Sequence, residues 1–258
     1  MKGGYMKTVA IISRKGGTGK TATCGALGAG LMRRGKKVLF VDLDSQANLS
    51  FTFNAFPRGP ATNAMMLLKE YCTAIEAIWK QKQGDIIPAV EDLAGADLYL
   101  KDIKGGEFRL RDALKQIENR YDFCIIDTPS QLGSVTVNAL AAANYVIVPV
   151  QAEMFSLQGL GLVNSTINSV KEHCNQDLKV SGILVTRYKY RTTLSRDMKE
   201  NLEEAAQQLN TKVFNTTIRE TIAVAEAQAQ QQDLFSYAPH CTAAQDYDAF
   251  IDEFLKGE

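Results

Sequence analysis

Three short stretches carry residue types and spacings that can do chemistry. Lys15-Gly16-Gly17-Thr18-Gly19-Lys20-Thr21 packs three glycines, two lysines and two hydroxyl side chains into seven positions. Glycines let a main chain curl so that successive N–H groups converge on phosphate oxygens. A lysine and a hydroxyl at the end of such a loop suit the β- and γ-phosphates and a Mg²⁺ ion, so Lys20 and Thr21 take those expected roles. Asp42 and Asp44 form a carboxylate pair at i and i+2 after Lys37-Val38-Leu39-Phe40-Val41. Asp127 ends the apolar run Phe123-Cys124-Ile125-Ile126 and is followed by Thr128-Pro129-Ser130. An aspartate at such a tip can hold Mg²⁺ directly or through its water.

Each stretch needs a particular element to position it. Val9-Ala10-Ile11-Ile12 reads as a buried strand before the glycine loop, and residues 22–33 read as the helix after it. That helix adds the positive end of its dipole at the loop, with Ala22 in its first turn. Residues 37–42, 121–127, 145–150 and 180–186 read as further buried strands. Residues of this kind leave the carboxyl ends of parallel strands, where an open sheet keeps its ligand crevice. Alternating strands and helices predict an α/β fold: a doubly wound, mostly parallel sheet with helices on both faces. Residues 1–6 are expected to be a frayed tail and 7–258 a single domain.

Residues 50–106 carry no recognisable chemistry. Thr62 and Thr73 read as N-caps of two short helices, the second bearing Ile75, Ile78 and Trp79. Ile86-Ile87 reads as a strand, and residues 92–100 and 107–119 as helices. Ser156 caps a helix running to about His173, and residues 244–255 form an acidic amphipathic helix with Tyr247, Phe250, Ile251 and Phe254 as its apolar stripe.

The chain has 258 residues, 45% hydrophobic, enough for one large core. No apolar run approaches the ~18–20 residues of a membrane span, and Met1 to Met6 lack the apolar centre of a signal peptide. The five cysteines are scattered without a C-x-x-C pair, which fits small core residues in a reducing cytoplasm. Positive and negative side chains balance at 29 each, so any attraction to nucleic acid must be local. Lys179, Arg187, Lys189, Arg191 and Arg196 fall in a stretch without Asp or Glu, with Tyr188 and Tyr190 interleaved; residues 220–258 hold eight acids against Lys256. On composition alone the basic stretch reads as an ordinary solvated loop. Lys15 likewise reads either as a solvated surface lysine or as a second lysine that reaches a triphosphate.

The seven-residue loop, with Lys15 in place, resembles the deviant Walker A loop of the ParA/MinD/NifH ATPases, P-loop NTPases by fold. Asp42-Leu43-Asp44-Ser45-Gln46 resembles their Asp-x-Asp-Pro-Gln segment, with Ser45 for proline, and Asp127-Thr128-Pro129 their Walker B tip. Asn138-Ala139-Leu140 and Val148-Pro149-Val150-Gln151 narrow the resemblance to the ParA/Soj partition ATPases. The resemblance implies a set of roles. Lys15 would reach the phosphates of a partner subunit. Gly16, Gly17, Thr18, Gly19, Lys20, Thr21 and Ala22 would hold ATP or ADP. Asp44 would orient the attacking water near Mg²⁺, with Thr21 and Asp127 as the other metal residues. Thr186 and Thr217 would lie by the adenine. Lys189, Arg191, Arg196 and Arg219 would bind DNA nonspecifically once two subunits meet. It further implies an ATPase, weak on its own, that dimerises on ATP, releases DNA on hydrolysis, answers to a ParB-like centromere-binding protein, and works in the cytoplasm at the nucleoid. The alternative is a MinD-like positioning ATPase or another deviant Walker A ATPase. A MinD-like role needs a basic amphipathic C-terminal helix, whereas this one is acidic. A NifH-like role needs cluster cysteines, and Cys124 within its strand is poorly placed for that.

Overall fold

A computed structural model describes residues 5–59, 61–153, 156–189, 193–208 and 210–257, without the side chains of 156, 193–199 and 208. Residues 1–4 of the expected tail, Tyr190 and Arg191 lie outside the described residues. The strands are β1 (Lys7–Ile11), β2 (Val38–Asp42), β3 (Trp79–Gln81), β4 (Gly84–Ile87), β5 (Phe123–Asp127), β6 (Tyr145–Gln151) and β7 (Lys179–Thr186). They form one sheet in the order β3-β4-β2-β5-β1-β6-β7, parallel throughout except for the β3–β4 hairpin. The helices are α1 (Lys20–Arg33), α2 (Asn48–Thr52), α3 (Ala64–Leu68), α4 (Ala74–Ala77), α5 (Ala96–Lys101), α6 (Arg109–Lys115), α7 (Ser134–Ala142), α8 (Ser156–His173), α9 (Thr193–Gln208), α10 (Ile222–Ala229), α11 (Leu234–Tyr237) and α12 (Thr242–Lys256). Among the described residues, no helix is long and apolar enough to cross a membrane.

The period of two in the strands produces two cores. Val9, Ile11, Val38, Phe40, Phe123 and Ile125 face one side, where they meet α1, α10, α11 and α12. Ala10, Ile12, Leu39, Val41, Cys124 and Ile126 face the other, beneath α3, α5, α6, α7 and α8. The doubly wound sheet expected from the sequence is therefore what forms. Helix α1 approaches unusually closely at Gly28, where an added Cβ would lie 2.1 Å from the Phe40 ring.

Register aligns the chemistry. Asp127 pairs with Ile11 on one side and with Asp42 on the other, so β1, β2 and β5 end at one level. The loops that follow β1, β2, β5, β6 and β7 all leave from this edge. Strand order also diverges here, since β2 lies beyond β5 on one side of β1 while β6 and β7 lie on the other. An open α/β sheet opens its crevice at such a point.

The middle of the chain departs from expectation in detail. Thr73 caps α4 through a reciprocal Thr73–Glu76 capping box, as expected. Asn63, not Thr62, caps α3, its side chain accepting from Met66 N at 3.1 Å, while the Thr62 hydroxyl donates to the Glu76 carbonyl. Trp79 begins β3 instead of extending α4, because its indole N–H reaches the Thr62 carbonyl and its main chain pairs with Ile86. The segments read as helices 92–100 and 107–119 each open with a 3₁₀ turn, leaving α5 and α6 shorter. Arg196 belongs to α9 and not to a basic loop.

Candidate active site

The glycine loop is held open from behind. Gly17 and Gly19 adopt left-handed φ values of 76° and 83°, which L side chains rarely reach. The Gln151 side-chain amide donates to Gly17 O at 2.6 Å, and the Thr186 hydroxyl donates to Thr18 O at 2.7 Å. Both anchors come from the ends of neighbouring strands. A Cβ at Gly16 or Gly17 would meet nothing within 4 Å, so the loop faces open space at both positions, and both line a large cavity. Gly19 occupies the N-cap of α1 and no side chain caps that helix. The first-turn N–H groups are thus left for a ligand, at the positive end of the helix dipole.

A cavity of about 900 Å³ runs from this loop along α1. Gly16, Gly17, Gly19, Lys20, Thr21, Ala22, Asp44, Ser130 and Thr186 line one end; Phe51, Ile218, Arg219, Ile222 and Tyr247 line the other. Lys20 is almost fully buried and donates to the Ser130 hydroxyl at 2.8 Å. Of the expected nucleotide residues, Thr18 acts through its carbonyl, behind the loop. Thr217 is buried and is not among the lining residues; Ile218 and Arg219 of the same segment are.

The three aspartates separate into different jobs. Asp42 is buried and accepts from Asp44 N (3.1 Å), Ser50 N (2.8 Å) and the Ser50 hydroxyl (2.7 Å). It therefore shapes the β2–α2 turn, which delivers Asp44 to the cavity wall, half-buried and accepting from Gln46 N at 3.0 Å. Asp127 is fully buried, and neither carboxylate oxygen has a partner of hydrogen-bonding geometry. Burial, then the neighbouring Asp42 charge, push its pKa up; the nearby Thr21 hydroxyl and Lys20 ammonium pull it part-way back. Burial likewise raises Asp42, against its hydrogen bonds from Ser50 and Asp44. A buried carboxylate without a partner is costly unless a cation completes it. Asp127, with Thr21 in the first turn of α1 and Asp44 opposite, is a donor set of hard oxygens that fits Mg²⁺.

Lys15 does not line the cavity. Its ammonium forms an ion pair with Glu153, just beyond β6, with both side chains about half exposed (47% and 50%).

Among the described residues, three cations of the expected basic region, Arg187, Lys189 and Arg219, each meet a carboxylate. Tyr188 and Arg219 form a parallel bridge, which brings Arg187, Lys189 and Arg219 together from positions 30 residues apart in sequence. Glu220 receives Arg187 at 2.5 and 2.8 Å and Lys189 at 3.1 Å. Asp246 of α12 takes the Arg219 guanidinium at 2.6 and 2.8 Å and its main-chain N–H at 2.9 Å. The stretch has no acid of its own, but Glu220 and Asp246 from the acidic segment that follows are brought against it and Arg219. Gln151, Ser130 and Glu153 escaped sequence reasoning, since each is a common polar residue whose partner is more than 100 residues away; Ser50 lies eight residues from Asp42, beyond the reach of a cap rule.

Comparison with known proteins agrees with this geometry. Residues 6–180 match the model of an AAA domain family. The chain is 34% identical over 249 residues to the chromosome-partitioning ATPase Soj of Treponema pallidum, covering 96% of this chain and 97% of that one. It is similar to a solved structure of cobyrinic acid a,c-diamide synthase of Mycobacterium smegmatis with bound ATP analogue and magnesium (33% identity, TM-score 0.84, 97% and 95% coverage). It is also similar to a Cyanothece McdA–ATP complex (25% identity, TM-score 0.87, 98% of both chains). A lysine-bearing glycine loop, a carboxylate-lined strand edge and near full-length likeness to Soj lead to one conclusion: the chain belongs to the ParA/Soj family of partition ATPases.

Proposed function

We propose that this protein is an ATP-driven DNA-partition ATPase that works as a homodimer. The observation that carries the reading is the orphaned Asp127 carboxylate beside an uncapped glycine-loop helix, with Lys20 and Thr21 between them. Lys20 and the loop N–H groups bind the triphosphate of ATP. Thr21, Asp127 and Asp44 hold Mg²⁺, which supplies charge neutralisation of the phosphates. Asp44 orients the attacking water and accepts its hydrogen bond, and Lys15 exchanges Glu153 for a phosphate of the partner subunit. Closure of two subunits doubles the number of basic residues offered to DNA, Lys189, Arg191, Arg196 and Arg219 from each, and affinity for nonspecific DNA rises with the number of phosphates met. Hydrolysis reverses this. A ParB-like protein on the cargo DNA is the partner that accelerates turnover, at the nucleoid in the cytoplasm.

The MinD-like alternative loses its main element. The apolar stripe of α12 is buried, and its acids hold Arg34, Arg219 and the N–H groups of Asn215 and Thr216. DNA anisotropy without nucleotide, with ADP and with ATP tests the proposal. Binding is expected with ATP and Mg²⁺, and loss of it in Lys15→Ala. Equal binding in all states, or binding in none, would overturn it.

A further inference from the structure

Lys20 presents an imbalance that the nucleotide reading does not use. The residue is 7% exposed, yet its hydrogen-bond partner is the neutral hydroxyl of Ser130. Ser130 lies in the loop between β5 and α7, two residues beyond Thr128, whose hydroxyl ties that loop to Ile11 O at 2.8 Å. With Asp44 and Gln46, Ser130 forms the wall shared by the large cavity and a second cavity of about 250 Å³ under the β2–α2 and β5–α7 loops. At the far side of that second cavity, Asp97 accepts from Val135 N at 2.8 Å in the first turn of α7.

An ammonium prefers an anionic acceptor, because charge-assisted hydrogen bonds are about twice as strong as those to neutral groups. A phosphate oxygen therefore outcompetes the Ser130 hydroxyl for Lys20. We propose that Ser130 is a positioning residue: it stands in for a phosphate oxygen, holds the Lys20 ammonium across the cavity, and is released when nucleotide phosphate takes that ammonium. Nucleotide arrival is then felt by the β5–α7 loop through loss of one contact. The hydroxyl also opposes binding, since it stabilises the nucleotide-free protein. Removing it leaves the ammonium, on the cavity wall, with one acceptor fewer until an anion arrives.

This inference rests on Lys20 as a phosphate ligand. The test is equilibrium binding of ADP and a non-hydrolysable ATP analogue, with Mg²⁺, to the full chain. Ser130→Ala is expected to bind about ten-fold more tightly than wild type, the scale of one hydrogen bond to a charged group. Ser130→Thr keeps the hydroxyl and is expected within about two-fold of wild type. In turnover, KM falls in Ser130→Ala without a rise in kcat. Unchanged or weaker binding by Ser130→Ala overturns the proposal, as does a threonine variant that behaves like the alanine one. Lys20→Ala separates the two layers. If it abolishes binding while Ser130→Ala changes nothing, only the Ser130 role falls. If it binds as wild type, the reading of Lys20 falls too.

Discussion

Glu220→Gln offers the sharpest examination of the basic surface. Glu220 is a single carboxylate serving two cations, Arg187 and Lys189, whose side chains are more than half exposed. Those two contacts hold its pKa below the ordinary carboxylate range. Solvent-exposed pairs are worth up to about 1 kcal/mol each, so a DNA phosphate that must displace both meets a ceiling of roughly 2 kcal/mol. That ceiling corresponds to about 30-fold in affinity, and roughly ten-fold is expected after solvent screening. Where wild-type binding leaves Glu220 on the two side chains, the variant adds up to two phosphate contacts, and the slope of log K against log salt becomes more negative by up to about 1.8. The assay is fluorescence anisotropy on a short duplex from 50 to 200 mM salt, with and without ATP analogue, with Glu172→Gln as a charge-matched change elsewhere on the surface. Identical affinity and slope for Glu220→Gln and wild type would refute the argument that this acid restrains the patch. An equal gain in Glu172→Gln would reduce it to an effect of net charge.

Three further outcomes follow from packing and burial. Asp127→Asn removes a buried carboxyl that has no hydrogen-bond partner and whose pKa burial pushes up to about 8, so the nucleotide-free protein should gain on the order of 2 kcal/mol, a Tm rise of ~5 °C by calorimetry, while Mg²⁺–nucleotide no longer stabilises it. Gly28→Ala drives a Cβ into Phe40, whose ring is itself packed at a tilt against Phe53, 4.6 Å between centroids. Overpacking of about 1–3 kcal/mol exceeds the helix-propensity gain of about 1 kcal/mol, so its urea midpoint should fall. Burial raises the Glu253 pKa, but the Asn215 and Thr216 N–H groups outweigh this and leave it below the ordinary value. Its folded pKa is depressed, so its stabilisation is present above about pH 4.3 and fades as pH falls through the lower folded value. Glu253→Gln should flatten that acid limb in a series of urea melts.

Sequence by itself determined the strand–loop–helix frame, the phosphate loop and the carboxylates at strand ends, because these rest on local rules. Period-two burial, glycine conformations and a lysine–hydroxyl ending are all written within a few residues. The same locality explains Thr73 as a cap, where partner and acceptor are three residues apart. What tertiary structure alone decided depends on contacts between distant segments. Asp42 and Asp44 are alike as a pair in sequence, yet the Ser50 hydroxyl and N–H groups make one a strut and leave the other on the cavity wall. Gln151 props the glycine loop from 134 residues away, Ser130 meets Lys20 across 110, and Asp246 reaches Arg219 across 27. The charge segregation read along the chain is partly undone for the same reason: Coulomb attraction acts through space, and folding brought Glu220 and Asp246 against Arg187, Lys189 and Arg219.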